Sequence, residues 1–371
     1  MSGHSHDSIP TWTWVAPVLA AVLLALKFTG IVPSDATLVL VLAAVLLAAA
    51  VFAAVHHAEV LALKLGEPFG SILLAVAVTV IEVALIVSIM LTGAEGSDAV
   101  ARDTVFAAVM IVLNGVVGLC LIMGGRRHFE QTFQLQGASS ALAVLGTLAA
   151  LALILPNYTI TVSGPSFSSL QVVFVGMAAL VLWGVFVFVQ TVKHRDYFLD
   201  APVAIDPTAE DTEASPEKPS DRIALFSLGL LLVSLVAVVL LAKVLSYPLD
   251  KGIAAAGLPQ AFVGVIIAAI VLLPEGMAAA KSAVRNQLQN SINLALGSAI
   301  ASIGLTIPTV AIVSLVLKQN LVLGVSPTNI TLLALTLFVS TLTLGTGRTT
   351  VLQGAIHLVI FAVFLLVSAV P

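Results

Sequence analysis

The chain reads as an all-α polytopic membrane protein of about eleven transmembrane helices: two inverted five-helix repeats behind one extra N-terminal helix. Three observations carry that reading. Of 371 residues, 60% are hydrophobic and only 9% charged, against about 25% charged in soluble domains. Apolar runs approaching the roughly 20 residues a spanning helix needs recur from end to end. One acidic, proline-bearing segment then separates five such runs from another five.

Taken in order, the runs are 12–29, 36–57, 71–93, 103–124, 139–155, 170–192, 223–246, 259–280, 291–317, 329–344 and 350–369, each bounded by polar or Gly/Pro residues. The fifth and tenth are short, as tilted or broken helices would be. Met1 to Pro10 hold no Lys or Arg. The basic start of a signal peptide is therefore missing, and the first run is expected to stay as a helix. Residues 194–222, HRDYFLDAPVAIDPTAEDTEASPEKPSDR, carry four prolines and many acids with little to bury, the composition of a disordered linker. The expected organisation is a tail and extra helix over 1–35, a first repeat over 36–193, the acidic linker over 194–222 and a second repeat over 223–371. Five is odd, so two five-helix sets in series enter the membrane in opposite senses, the pattern of many secondary transporters.

Charge sets the orientation. With the N-terminus inside, ten of the fifteen basic residues fall in cytoplasmic loops and helix ends: Lys64, Arg126, Arg127, Lys193, Arg195, Lys218, Arg222, Lys281, Arg285 and Arg348. Lys27, Arg102, Lys243, Lys251 and Lys318 fall outside. The positive-inside rule therefore places the N-terminus and the acidic linker in the cytoplasm. The net charge of −4 gives no reason to expect a nucleic-acid partner. The one cysteine, Cys120, cannot form an intrachain disulfide. The lipid bilayer is the expected partner; a homo-oligomer stays open.

Two glutamates carry the chemistry. Glu82 lies in SILLAVAVTVIEVALIVSIML and Glu275 in AFVGVIIAAIVLLPEGMAAA. A charge at the bilayer centre costs roughly 2.5–3.5 kcal/mol even on the lenient insertion scale, so such residues default to function. Each sits in the second span of its repeat, and equivalent positions of inverted repeats meet near the midplane. Pro274 precedes Glu275 and is expected to break or kink its helix, freeing backbone carbonyls. The next spans add amides and hydroxyls: Asn114 in the first repeat, Asn293, Ser298 and Ser302 in the second. Oxygen ligands beside two carboxylates suit a hard cation such as calcium or sodium. Plainer roles exist. Asn114 and Ser302 can simply glue helices together, and a buried glutamate can be a structural hydrogen-bonding residue.

Four stretches resemble the cation/proton exchanger family, in particular the ChaA-type calcium/proton antiporters of the calcium/cation antiporter superfamily. They are HHAEVLALKLGEPFGSILLAVAVTVIEVALI, RDTVFAAVMIVLNGVVGLCLIMGG, LPEGMAAAKSAVRNQLQNSINLALGSAIASIGLTIP and TLGTGRTTVLQGAIHLVIF. The resemblance implies eleven spans, two inverted repeats, an acidic cytoplasmic loop and a place in the bacterial inner membrane. It puts the family's two repeat acids on Glu82 and Glu275, its conserved asparagine on Asn114, and an acid of gating or structural role on Glu59. Thr79 joins the candidate ligands from the first motif. The chain departs from the pattern at several positions. Many calcium exchangers write Gly-Asn-Ala before each acid, where this chain has Val78-Thr79-Val80 and Val271-Leu272-Leu273. Ala301 stands where a glutamine is expected and Gly276 where many members carry histidine. Fewer amide ligands weaken the case for strict calcium selectivity, and the ChaA branch implies sodium and potassium exchange as well.

The expected activity is secondary active cation/proton antiport by alternating access. Cytoplasmic Ca2+, with Na+ or K+ as further cargo, leaves in exchange for H+. Glu82 and Glu275 serve as the shared carboxylate ligands, and no cofactor is needed beyond the transported cation. A monovalent antiporter without Ca2+ transport is the alternative. A channel is less favoured, since nothing resembles a filter of repeated backbone carbonyls. No hydrolytic constellation stands out. His56-His57-x-Glu59 is a poor zinc motif and reads as an interfacial helix end.

Overall fold

The computed structural model describes residues 10–32, 36–66, 69–91, 93, 96–199 and 218–371. Among them, eleven helices are long and apolar enough to cross a membrane. They are α1 (Thr11–Phe28), α2 (Thr37–Leu65), α3 (Phe69–Met90), α4 (Val100–His128), α5 (Leu135–Tyr158), α6 (Ser169–Lys193), α7 (Asp221–Ala255), α8 (Phe262–Val284), α9 (Leu288–Leu317), α10 (Pro327–Leu344) and α11 (Val351–Ala369). The chain is thus an all-α polytopic membrane protein, as its composition predicts. A short antiparallel ladder is added, β1 (Gln131–Thr132) pairing with β2 (Arg348–Thr349), together with an isolated bridge between Ser166 and Val322.

Several boundaries differ from the sequence reading, for identifiable reasons. The second span runs to Leu65 rather than ending near residue 57. Its polar residues look like a helix end, yet His57 is buried and its Nε2 lies 3.1 Å from the carbonyl of Thr13 on α1. The seventh span is longer than expected, 35 residues through Pro248. The fifth is indeed interrupted: an α-helix to Ala149, a π-helical turn over Ala150–Ile154, then a 3-10 turn over Leu155–Tyr158. Pro274 does not break α8, which is helical from Phe262 to Val284. Its missing N–H leaves the Ile270 carbonyl without the usual donor four residues on.

Of the acidic linker, residues 200–217 lie outside the described residues. Its first residues are not an unpacked tether. Arg195–Phe198 form a 3-10 turn, and the Phe198 ring packs edge-on to Phe186 at 5.9 Å. The aromatic pair in HRDYF supplies apolar surface that the rest of the linker lacks.

Contacts divide the chain into two compact units, and the division crosses the five-helix sets. One unit comprises Met1–Ser88 with Ala201–Pro248; the other comprises Ile89–Asp200 with Leu249–Pro371. In the first unit, α1 packs on α2, and α2 carries a strip of fully buried small residues, Ala50, Ala53, Ala54 and Ala58. The Lys64 ammonium ties the end of α2 to the start of α7. It reaches the Asp221 carboxylate at 2.6 Å and the Pro219 carbonyl at 2.9 Å.

In the second unit, α9 is the spine, packed by α5, α6 and α8. Small residues set these distances, as expected where helices gain nothing from excluding lipid and must instead pack closely. A Cβ at Gly304 would lie 2.6 Å from Trp183 Cβ, and one at Gly264 would lie 2.6 Å from the Thr104 nitrogen. Gly304→Val is therefore expected to destabilise the protein by about 1–3 kcal/mol, the usual cost of overpacking, seen as a lower melting temperature in detergent. An unchanged melting temperature would show that α6 and α9 do not meet there.

The last helix of each five-helix set opens identically. Ser168 and Gln171 form a reciprocal capping box on α6, and Thr350 and Gln353 form one on α11. The S/T-x-x-Q spacing satisfies two otherwise orphaned backbone N–H groups at each start. It marks equivalent positions in two sequences that otherwise look unalike.

Candidate cation and proton site

Helix arithmetic places the predicted residues at similar distances along their own helices. At 1.5 Å per residue, Glu82 and Glu275 each lie about 20 Å along their helices. Asn114 and Ser302 each lie about 21 Å along theirs. Asn293 is different, only about 7–8 Å from the start of α9, with Ser298 between. Glu59 lies six residues before the end of α2 and is exposed.

In the first unit, Glu82 is 3% exposed, on a face shared with buried Thr79, Val78, Ile81 and Ile86. Thr79 stands one turn earlier and donates its hydroxyl to the Ala75 carbonyl at 2.8 Å. Its proton is thereby spent on its own helix, and its oxygen keeps an acceptor lone pair.

In the second unit, α8, α9 and the middle of α4 pack on one another. Glu275 is half-buried on α8. The next residue, Gly276, faces α4 so closely that a Cβ there would lie 3.1 Å from Val116 Cγ2. A histidine at this position, as many of the resembled exchangers carry, would press against α4. That stretch of α4 is itself irregular: Ile111–Val116 form a π-helical turn, a feature common at functional sites. Asn114 lies in it and is fully buried.

The Asn114 side chain is held on both sides. Its Nδ2 donates to Thr336 Oγ1 at 3.0 Å, and its Oδ1 lies 3.1 Å from His357 Nδ1. Since the Asn114 oxygen can only accept, His357 must carry its proton on Nδ1. Nε2 then accepts from the Thr343 hydroxyl at 3.2 Å. Thr336 in turn faces Met110 Sδ at 3.5 Å. His357 and Thr336 are fully buried as well. The network joins α4, α10 and α11, and orients the asparagine.

The predicted residues of α9 separate into two groups. Asn293 donates to the Phe198 carbonyl and accepts from Gln289 Nε2 at 2.8 Å, so it fastens the start of the acidic linker to α9. Ser298 and Ser302 are four residues apart, and Thr306 continues the same face. Ser302 and Thr306 are buried. Sequence reasoning missed Thr306, Thr336, Thr343 and His357. The signal for His357 was present: an ionisable ring inside the apolar run GAIHLVIF. Among the described residues, no three His, Cys, Asp or Glu side chains converge as a metal cluster.

A buried and a half-buried carboxylate at mid-helix, a hydroxyl face and an amide held on a π turn are thus set among eleven membrane-length helices. The chain belongs to the sodium/calcium exchanger protein family, whose profile matches residues 36–192 and 226–370. It is 58% identical over 363 residues to the putative ionic transporter y4hA of Sinorhizobium fredii, covering 98% of this chain and 97% of that one. It is 34% identical over 357 residues to the sodium-potassium/proton antiporter ChaA of Escherichia coli, covering 95% and 94%. Among solved structures, native YfkE has the same fold, with a TM-score of 0.73 at 15% identity over 97% of this chain and 100% of that one.

Proposed function

We propose that this chain is a secondary active cation/proton antiporter in which Glu82 and Glu275 take cation and protons in turn. The observation that carries the reading is the pair of glutamates at the same mid-helix position, one per repeat, Glu82 buried and Glu275 half-buried. Empty and doubly ionised, two such carboxylates repel each other at low dielectric and lose hydration. One divalent cation, or two protons, removes that cost. The protein therefore crosses between inward- and outward-facing states when either occupant is bound and resists crossing when the site is empty. That rule gives obligatory exchange with no covalent step. Thr79 and the Ser298–Ser302 face supply neutral oxygens, and Asn114 sets the shape of the wall beside Glu275. The orientation that fits the charge bias has the N-terminus and linker in the cytoplasm of a bacterium, with the chain in its inner membrane.

Ca2+ is our proposed cargo, with Na+ and K+ sharing the same oxygens. A monovalent-only antiporter is the second reading. It is favoured by the name of the 34%-identical relative, a sodium-potassium/proton antiporter. It is favoured also by Asn114 and Asn293, whose amides are engaged within the protein and leave fewer neutral ligands for a divalent ion. Purified protein in liposomes with an imposed pH gradient, challenged in turn with Ca2+, Na+ and K+, separates the readings. Proton movement on adding Ca2+ supports the first. Movement with Na+ and K+ alone establishes the second. Cation flux with no linked proton movement would overturn antiport altogether.

A further inference from the structure

A concave groove in the same unit as Glu275 takes in Gly276 and Val116 beside that residue and is largely apolar. It runs between α4, α8 and α11 and encloses about 1000 Å³. Its walls are apolar, formed by residues such as Leu119, Met123, Leu273, Met277 and Phe361. Along α8 it extends from Val265 to Arg285, about 30 Å of helix, which matches the hydrocarbon thickness of a bilayer. Its room comes from small residues: Gly115, Ala269, Gly276 and Ala280 stand where larger side chains would fill it.

One end of the groove is cationic. Arg127 of α4, with Lys281 and Arg285 at the end of α8, line it there. The two helix ends are fixed side by side, because His128 Nε2 lies 2.9 Å from the Val284 carbonyl and Gln131 Nε2 donates to the Ala283 carbonyl at 2.8 Å. All three basic side chains are exposed, and none has an ion-pair partner among the described residues. Arg348, at the neighbouring β1–β2 pair, is by contrast matched by Glu130 at 3.4 Å. A wet cation pathway would not be walled with leucine, methionine and phenylalanine, and a surface that met only bulk lipid would have no need to be concave. An amphiphile with acyl chains and an anionic head satisfies the whole site, and basic pockets between transmembrane helices hold such headgroups.

We propose that this groove holds one anionic phospholipid, its chains along Leu119, Met123 and Met277 and its phosphate among Arg127, Lys281 and Arg285. The lipid would join α4 to α8 at the end beyond Glu275, on helices whose spacing shapes the wall beside that residue. The inference stands on the groove and its charges, and holds whichever cation the protein exchanges.

The test uses the full chain purified in neutral detergent. Phosphatidylglycerol and phosphatidylcholine with identical chains are added, and binding is read by native mass spectrometry and by melting temperature. Phosphatidylglycerol is expected to bind one per chain and raise the melting temperature; phosphatidylcholine should do neither. Lys281→Gln should weaken binding about fivefold, and the triple change R127Q/K281Q/R285Q on the order of a hundredfold, at about one basic-residue contribution each. Leu119→Trp, which fills the groove with the charges intact, should also abolish binding. Arg126→Gln, exposed but outside the groove, should leave it unchanged. Equal binding of both lipids would overturn the proposal. So would glycerol phosphate binding as well as the whole lipid, since the site would then recognise a phosphate alone. Loss of an oligomer in Leu119→Trp, with lipid binding retained, would identify the face as an interface between copies instead.

Discussion

Glu82→Gln and Glu275→Gln are each expected to reduce coupled exchange to background while the protein still inserts and purifies. Glutamine keeps the volume and the hydrogen-bonding capacity of glutamate but neither ionises nor carries a proton in exchange for a cation. If cation and protons share these oxygens, either change removes both halves of the cycle together. Glu→Asp retains the charge and retracts it by one methylene, so it should preserve exchange and shift the apparent cation affinity. The order of effects separates a working carboxylate from a structural one. A structural glutamate tolerates Gln better than Asp, because Gln fills the same space with its partners intact. Glu59→Gln is the comparison: Glu59 is exposed near the end of α2, and its change should slow or destabilise the protein without removing cation dependence. Gradient-driven proton flux in liposomes reads all of these. Near-normal pH-dependent exchange in both Gln variants would refute the mechanism.

The second large effect is expected at His357. His357→Phe keeps a ring of similar size but leaves the Asn114 oxygen and the Thr343 hydroxyl buried with their partner gone. Each orphaned group costs about 1–3 kcal/mol, so the melting temperature in detergent should fall markedly. His357→Gln, able to donate to Asn114 from a flexible amide, should recover part of the loss. Asn114→Leu combined with His357→Phe should cost less than the two single changes added together, because the pair acts as one network. Strict additivity would show that the two side chains do not meet. Transport at fixed protein amount should fall with both variants, since the π turn carrying Asn114 packs beside Gly276 and so beside Glu275.

How far the sequence alone reaches is visible at particular residues. Glu82 and Glu275 were legible because an acid inside an apolar run conflicts with its surroundings, and that conflict is local. The number of helices was legible for the same reason. Asn114 was legible as a polar residue, but its partners were not: Thr336 and His357 are 222 and 243 residues away in the chain, and no local pattern links them. The end of α2 was misread because His56, His57 and Glu59 look like a membrane boundary. The helix itself runs on to Leu65, and the carbonyl of Thr13, in the first turn of α1, takes up the His57 ring. Pro274 was expected to break or kink α8; the helix is not broken but continues through it, packed against α4 and α9. Asn293 looked like a ligand, and only the fold shows its amide fastened to Phe198. Packing groups the helices in its own way, with divisions within α3 and α7 as well as at the acidic linker.

The central claim is that cation and protons compete for the same two carboxylates, and proton release on cation binding tests it most directly. Purified protein in weakly buffered detergent, with no membrane gradient, is titrated with Ca2+ and separately with Na+ while the pH is followed. The shared site predicts that each addition acidifies the solution saturably, with release growing as the starting pH is lowered towards the range where the carboxylates hold protons. It predicts that the combined Glu82→Gln, Glu275→Gln protein releases none. Saturable cation binding with no proton release, or release that persists in the double variant, would contradict it.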